Sequence, residues 1–368
     1  MTVEMKKYKL GDTGEFLNGK IRPTEKGNYP VYGGNGILDY CNQYNYENVI
    51  IIGRVGAYCG CVSASYDKCW VSDNAIAFRP NDKNDIHYLK YLLTSLNLNK
   101  KHVGAAQPLM TQGILKSLDV LLPELNVQQK IASVLSTLDQ RIENLRAQNR
   151  VLEQTAKTIY DYTFLQCADH QTTYNKTLNR NIPANWEVKK LSEIANITMG
   201  QSPDGSSYNE NGNGKIFYQG CTDFGVMFPT PRLYTTAPTR FAKINDILMS
   251  VRAPVGTLNI ANAECCIGRG LAALNAKEGS NVFLYYVMKN FENHFKNAYS
   301  IGTTFGSITK NDLYDLPVLY PDSKTLNLFS TQVSPLFKKQ LVNSQQIETL
   351  TTQRNTLLPL LMTGQIEV

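Results

Sequence analysis

Nothing in the 368 residues approaches the 18 or more consecutive uncharged apolar positions that a membrane-spanning helix needs. The opening stretch MTVEMKKYKLGD also lacks the apolar h-region of a secretory leader. A cytoplasmic protein with no membrane partner is expected. Histidine is scarce: His87, His102, His170 and His294 are the four present, and none stands in a serine or cysteine motif that would support nucleophilic catalysis. There is no Walker glycine loop, no HExxH, no Asn-Pro-Pro-aromatic tetrad and no complete PD…ExK site. Pro321-Asp322-Ser323-Lys324 lacks the acid that would complete the last of these. No catalytic residue is therefore expected. Eight cysteines in so long a chain make no disulfide framework and read as thiols. Cys41, Cys59, Cys61 and Cys69 lie close in sequence but lack the C-x2-C pairs that offer two thiolates to one zinc, so no metal site is expected.

What is present is an ordinary globular composition, 42% apolar and 18% charged, at a length that predicts two or three domains. The net charge of +6 is a mild basic bias spread along the chain, with no basic tail or arm. It permits an anionic partner without requiring one, and a nucleic-acid surface would have to be assembled by folding.

The strongest feature is an internal repeat. At an offset of 198, Gly104–Thr111 lies over Gly302–Thr309 and Leu118–Pro123 over Leu316–Pro321 without a gap. Upstream, Lys9-Leu10 and Asn18-Gly19 match Lys190-Leu191 and Met199-Gly200 at an offset of 181, so the second copy holds 17 more residues. They fall in Gln201–Ile244, a Gly-, Asn-, Ser- and Pro-rich stretch of the kind that grows as surface loops. Short apolar runs (Val49–Ile52, Asn74–Phe78, Asp246–Met249) separated by Gly and Pro read as strands. Helices are expected at His87–Leu98 and Val282–Asn293. Each copy is then an α+β unit followed by a long helix.

The long helices carry heptads over five repeats. Ile131, Leu138, Leu145, Leu152 and Ile159 alternate with Leu135, Ile142, Asn149, Ala156 and Thr163. In the second copy Phe329, Leu336, Asn343, Leu350 and Leu357 alternate with Val333, Gln340, Ile347, Arg354 and Leu361. The reading is a mutual antiparallel pair, in which Asn149, Asn343, Gln340 and Arg354 set the register or face outside partners. The other reading is two helices each packed on its own domain; Pro123 and Pro321, just before them, argue that they have little local surface to cover. About 40 residues at 1.5 Å each make a rod of roughly 60 Å. A monomer with two related modules on a stiff spacer mimics a two-fold dimer, whose DNA half-sites sit about 10 bp apart. Its halves need not read the same sequence.

The chain resembles the specificity subunits of type I restriction-modification enzymes over essentially its whole length. The residues that carry the resemblance are Trp186–Ala195, Asn245–Arg252, the Gly302-Thr303-Thr304 turn and the helix start Asn126–Ala132, in that arrangement twice over. One departure is that Tyr8-Lys9-Leu10 lacks the Trp-led opening of the second copy. The resemblance implies an α+β fold with a pseudo-two-fold repeat. Residues 1–124 and 169–325 would be target-recognition domains, and residues 125–168 and 326–368 antiparallel coiled-coil helices. It implies a non-catalytic subunit that reads an asymmetric bipartite site on double-stranded DNA. Its partners would be two methyltransferase subunits and restriction subunits, and S-adenosylmethionine, ATP and Mg would be bound by those partners, with no cofactor on this chain. An interaction scaffold that occupies methyltransferase subunits without reading DNA is the alternative.

Readout of bases needs Arg, Asn or Gln on structured loops, with Lys and backbone amides on phosphates. Arg54 in Ile52–Gly56 and Arg252 in Ser250–Gly256 stand in matching post-strand loops whose glycines admit a close ligand. Lys20 and Arg22 follow Gly19; Gln201 and Ser202 follow Gly200. Gln107, Thr303 and Thr304 belong to turns suited to phosphate capture. Tyr32, Tyr58, Asn74, Tyr218, Gln219 and Arg269 complete the candidates.

Overall fold

The computed structural model describes residues 3–104, 108–167, 171–278, 280–300 and 306–368. It divides into two compact units, Met1–Glu143 with Glu348–Val368, and Asn144–Ile347. Each holds one globular head and a segment of both long helices, Leu125–Tyr160 and Ser323–Met362.

In the first unit a four-stranded antiparallel sheet runs in the order Gly14–Asn18, Ala75–Pro80, Val49–Gly53, Val62–Ser65. Its strand Val49–Gly53 is buried on both faces, which is why it reads as an unbroken apolar run rather than an alternation. Ile50 and Ile52 pack toward Tyr88, Leu89 and Leu92 of the helix Ile86–Ser95. Val49 and Ile51 face Val71 of a second, three-stranded sheet and Cys69 just before that strand. Asp85 caps that helix by accepting from the Tyr88 N–H at 2.8 Å. The strand Lys6–Lys9 pairs with Asp119–Leu122, Lys6 opposite Leu122.

The second unit repeats this plan. Its four-stranded sheet runs Ala195–Met199, Leu271–Ala276, Ile247–Ser250, Leu258–Ile260. Ile247 and Met249 point into an aromatic core with Phe164, Trp186, Phe283 and Phe329, while Leu248 faces Tyr218 and Ile267 of a five-stranded sheet. Glu187–Lys190 pairs with Pro317–Tyr320, Glu187 opposite Tyr320, in the register of the first copy. The missing tryptophan at the start of the first copy leaves that strand pair intact. The expected helices are found as Ile86–Ser95 and Asn281–Ser300.

The short helices ahead of both terminal strands are capped alike, by Thr111 accepting from the Ile114 N–H and Thr309 from the Asp312 N–H, each at 3.2 Å. The long helices also begin 198 residues apart. Their starts are secured differently. Buried Gln128 donates to Asn84 and to the Pro123 carbonyl and accepts from the Asp85 N–H. In the second copy Asp322 accepts from the Thr325 N–H at 3.0 Å and from the Trp186 indole at 3.0 Å.

Within the second unit the long helices run antiparallel, since Asn149 donates to Ser344 at 3.1 Å while Glu153, one turn on, accepts from Gln340 at 3.0 Å. Asn343 donates to Asn149 at 3.0 Å, and Tyr286 of the head donates to Glu153. Within the first unit Arg354 donates to Asp139 at 2.8 Å, whose other oxygen accepts from Tyr91. All four polar seam residues therefore engage the neighbouring long helix. The expectation that the helices have little local surface to cover needs correction, because they also pack on their own heads. Ile131, Ala132 and Leu135 share a core with Leu89 and Leu92 of the head that precedes them, and Phe329 shares one with Phe283 and Tyr286 of its own head, where Ala156 and Tyr160 of the first long helix also pack. The apolar stripe is wide enough to serve both neighbours. Among the described residues no helix is long and apolar enough to cross a membrane.

Candidate DNA interface

The loops that leave the central strands occupy the same place in both heads. In the first, the Arg54 N–H donates to the Asn74 carbonyl at 2.9 Å and the Arg54 carbonyl accepts from the Met110 N–H at 2.8 Å. In the second, these two bonds are made by Val251, to the Gly270 carbonyl and from the Ile308 N–H. The loops match, but the arginines do not. Arg252 is the structural counterpart of Val55, one residue further along. In an extended segment a one-residue slip reverses the face that a side chain occupies. So Arg54 is exposed where Val251 is buried, and Arg252 projects from the next position.

In the second head a cavity of about 230 Å³ opens beside this loop. Its wall includes Ser202, Gln219, Arg252 and Arg269, four candidates dispersed over 68 residues of sequence. The backbone accounts for their meeting. The Arg269 N–H donates to Ser202 Oγ at 3.2 Å, and the Gly270 N–H to the Gln219 carbonyl at 3.1 Å. A Cβ on Gly270 would stand 2.7 Å from that carbonyl oxygen, so the close approach requires glycine. Thr222, Asp223 and Arg232 also line it and were not among the sequence candidates. They belong to the long loop region of the second copy, where an acid and an arginine nine positions apart carry no periodic signal. Arg232 Nε donates to Asp223 Oδ1 at 2.8 Å, and the Asp223 carboxylate is buried. Among the described residues neither Arg252 nor Arg269 has a carboxylate partner.

The first head brings Arg54, Tyr58 and Asn74 together around Gly34 and Gly53. A Cβ on Gly53 would lie 2.1 Å from the Tyr58 carbonyl oxygen. Arg54 has no carboxylate partner among the described residues, and Tyr58 is 51% exposed. Lys20 is exposed, its N–H donating to the Val71 carbonyl, and Gln201 takes the matching bond to Ile267. Arg22 faces Asp39 at 3.9 Å, in a cluster where Lys26 holds that carboxyl below the usual carboxylate range.

Two candidates are placed away from such surfaces. Tyr218 is 1% exposed and donates to the Pro229 carbonyl at 3.3 Å, so it supports the sheet. Tyr32, its counterpart in the first head, lines a separate groove with Tyr29 and Tyr66, and burial raises its pKa. Both follow one strand pattern: the carbonyls of Tyr32 and Tyr218 accept from the Ser72 and Gly268 N–H groups. Gln107, Thr303 and Thr304 lie outside the described residues.

The family model for the type I restriction modification DNA specificity domain matches twice, over residues 2–154 and 183–352. A chain of Methanocaldococcus jannaschii assigned as the MjaX type I restriction enzyme specificity subunit is 33% identical over 307 residues, 80% of this chain and 72% of its own length. The MjaIX specificity subunit of the same organism is 27% identical over 311 residues, 78% of this chain and 71% of that one. The fold is that of the crystal structure of a type I restriction-modification S subunit from M. genitalium, with a TM-score of 0.71 at 19% identity, covering 98% of this chain and 96% of that one. The chain belongs to the type I restriction modification DNA specificity family, as a non-catalytic specificity subunit.

Proposed function

We propose that this specificity subunit reads an asymmetric, bipartite site on double-stranded DNA, one half-site per head. The observation that carries the reading is one sheet framework built twice, with different side chains at the matching loop positions: Arg54 against Val251, Val55 against Arg252, Lys20 against Gln201. A common frame positions both heads alike on a duplex, and unlike side chains read unlike bases. The paired long helices set the spacing between the half-sites and dock two methyltransferase subunits, which bind S-adenosylmethionine and methylate adenine. Restriction subunits using ATP and Mg join that assembly. No cofactor is assigned to this chain, and the complex works in the cytoplasm.

Single-molecule sequencing of adenine methylation in cells with and without the gene tests this reading. A bipartite methylated motif should vanish with the gene. Arg54→Ala should relax one half of that motif and leave the other half intact. An unchanged methylome on deletion would refute the reading, and uniform weakening at both halves would make Arg54 a phosphate contact.

A further inference from the structure

Three guanidinium groups, Arg232, Arg252 and Arg269, line the cavity of the second head, and one carboxylate, Asp223, stands among them. The carboxylate takes Arg232 from the side. Nε is 2.8 Å from Oδ1 and Nη2 3.5 Å from Oδ2, which leaves the outer N–H groups of Nη1 and Nη2 as a free parallel fork. The Asp223 side chain is 5% exposed and that of Arg232 50%, so the acid is the fixed member and the arginine reaches outward from it. The loop is closed behind them by the Thr230 N–H, which donates to the Asp223 carbonyl at 2.8 Å.

Resting on the reading of this cavity as a DNA site, we infer that Arg232 is a specificity-determining residue that reads a guanine. Asp223 is its positioning residue, and Arg252 and Arg269 hold phosphates. A paired guanidinium adds little net charge for a phosphate, yet its direction is set in advance. The major-groove edge of guanine, with O6 and N7 side by side, is the acceptor pair that matches a two-pronged donor. Arg252 and Arg269 are exposed and lack a carboxylate partner among the described residues, so they keep full charge and freedom to follow a phosphate. Placement in the chain agrees. Asp223 and Arg232 fall in the region where the second copy is longer than the first, while Arg252 and Arg269 sit on loops that both heads share.

The test uses the complete complex with its methyltransferase subunits and a pool of randomised duplexes, sequenced before and after selection. Salt titrations on the recovered wild-type duplex accompany it. Arg232→Ala should lower preference for guanine at one position of one half-site by about tenfold or more and leave the salt slope unchanged. Arg232→Lys, which keeps the charge but not the fork, should fail to restore that preference. Asp223→Asn should resemble Arg232→Ala. Arg252→Ala and Arg269→Ala should weaken retention of the whole pool and each reduce the salt slope by about 1. If Arg232→Ala alters the salt slope while base preference stays intact, the division of roles is wrong. If none of these variants alters retention of any duplex, the cavity is not a DNA site, and the reading beneath the inference falls with it.

Discussion

Single side chains in the heads divide into those that face outward and those that hold the frame, and residue type alone does not separate them. Tyr58 and Tyr218 are both tyrosines beside candidate loops, but the first is half exposed and the second sealed in the sheet with its hydroxyl on the Pro229 carbonyl. Tyr218→Phe should therefore cost about 1 kcal/mol of stability, the usual net worth of one hydrogen bond. The methylated motif should be unaltered. A urea melt checks the first outcome and methylation sequencing the second. The arginines teach the same point. Arg54 and Arg252 were legible as candidates because both follow an apolar strand in a glycine-bounded loop. That they occupy successive structural positions was not, because backbone pairing partners such as Asn74 and Gly270 set the register.

Among the elements, the start of the second long helix offers a measurable contribution. Burial pushes the Asp322 carboxyl upward in pKa, but bonds from the Thr325 backbone and hydroxyl and from the Trp186 indole outweigh it and hold the group below its ordinary value. Because the folded value is the lower one, this contribution is complete above the unfolded-state pKa and is lost as pH falls through the folded value, below about pH 4. Asp322→Ala should cost about 1 kcal/mol at neutral pH, as other N-cap truncations do. The gap from wild type should narrow on acidification, as denaturant midpoints at pH 7 and pH 3 would show. The helices themselves were readable from the heptads, since all twenty seam positions from Ile131 to Thr163 and from Phe329 to Leu361 are buried or half-buried. Their capping was not: Gln128 in one copy and Asp322 with Trp186 in the other solve the same junction through contacts distant in sequence.

For the whole molecule, the proposed spacing role of the paired helices has a direct consequence. Lengthening the pair by one heptad adds about 10 Å at 1.5 Å per residue, which is roughly 3 bp of duplex. The gap in the methylated motif should grow by that amount with both half-sites retained. A motif of unchanged spacing would remove the helices from that role. The layer of half-buried Asn149 with buried Gln340 and Asn343 bears on the design of such an insertion, since a polar seam penalises slipped pairings and the added heptad must keep these partners opposite each other.

The amino-acid sequence alone determined the duplication, the α+β character of each copy and the two seams, because these rest on local periodicity and on self-similarity that needs no coordinates. Tertiary structure alone decided which polar side chains share a surface. Ser202, Gln219, Asp223, Arg232, Arg252 and Arg269 meet at one cavity through sheet pairing and loop closure between distant segments. Which face of an extended loop an arginine takes turns on a single residue of register.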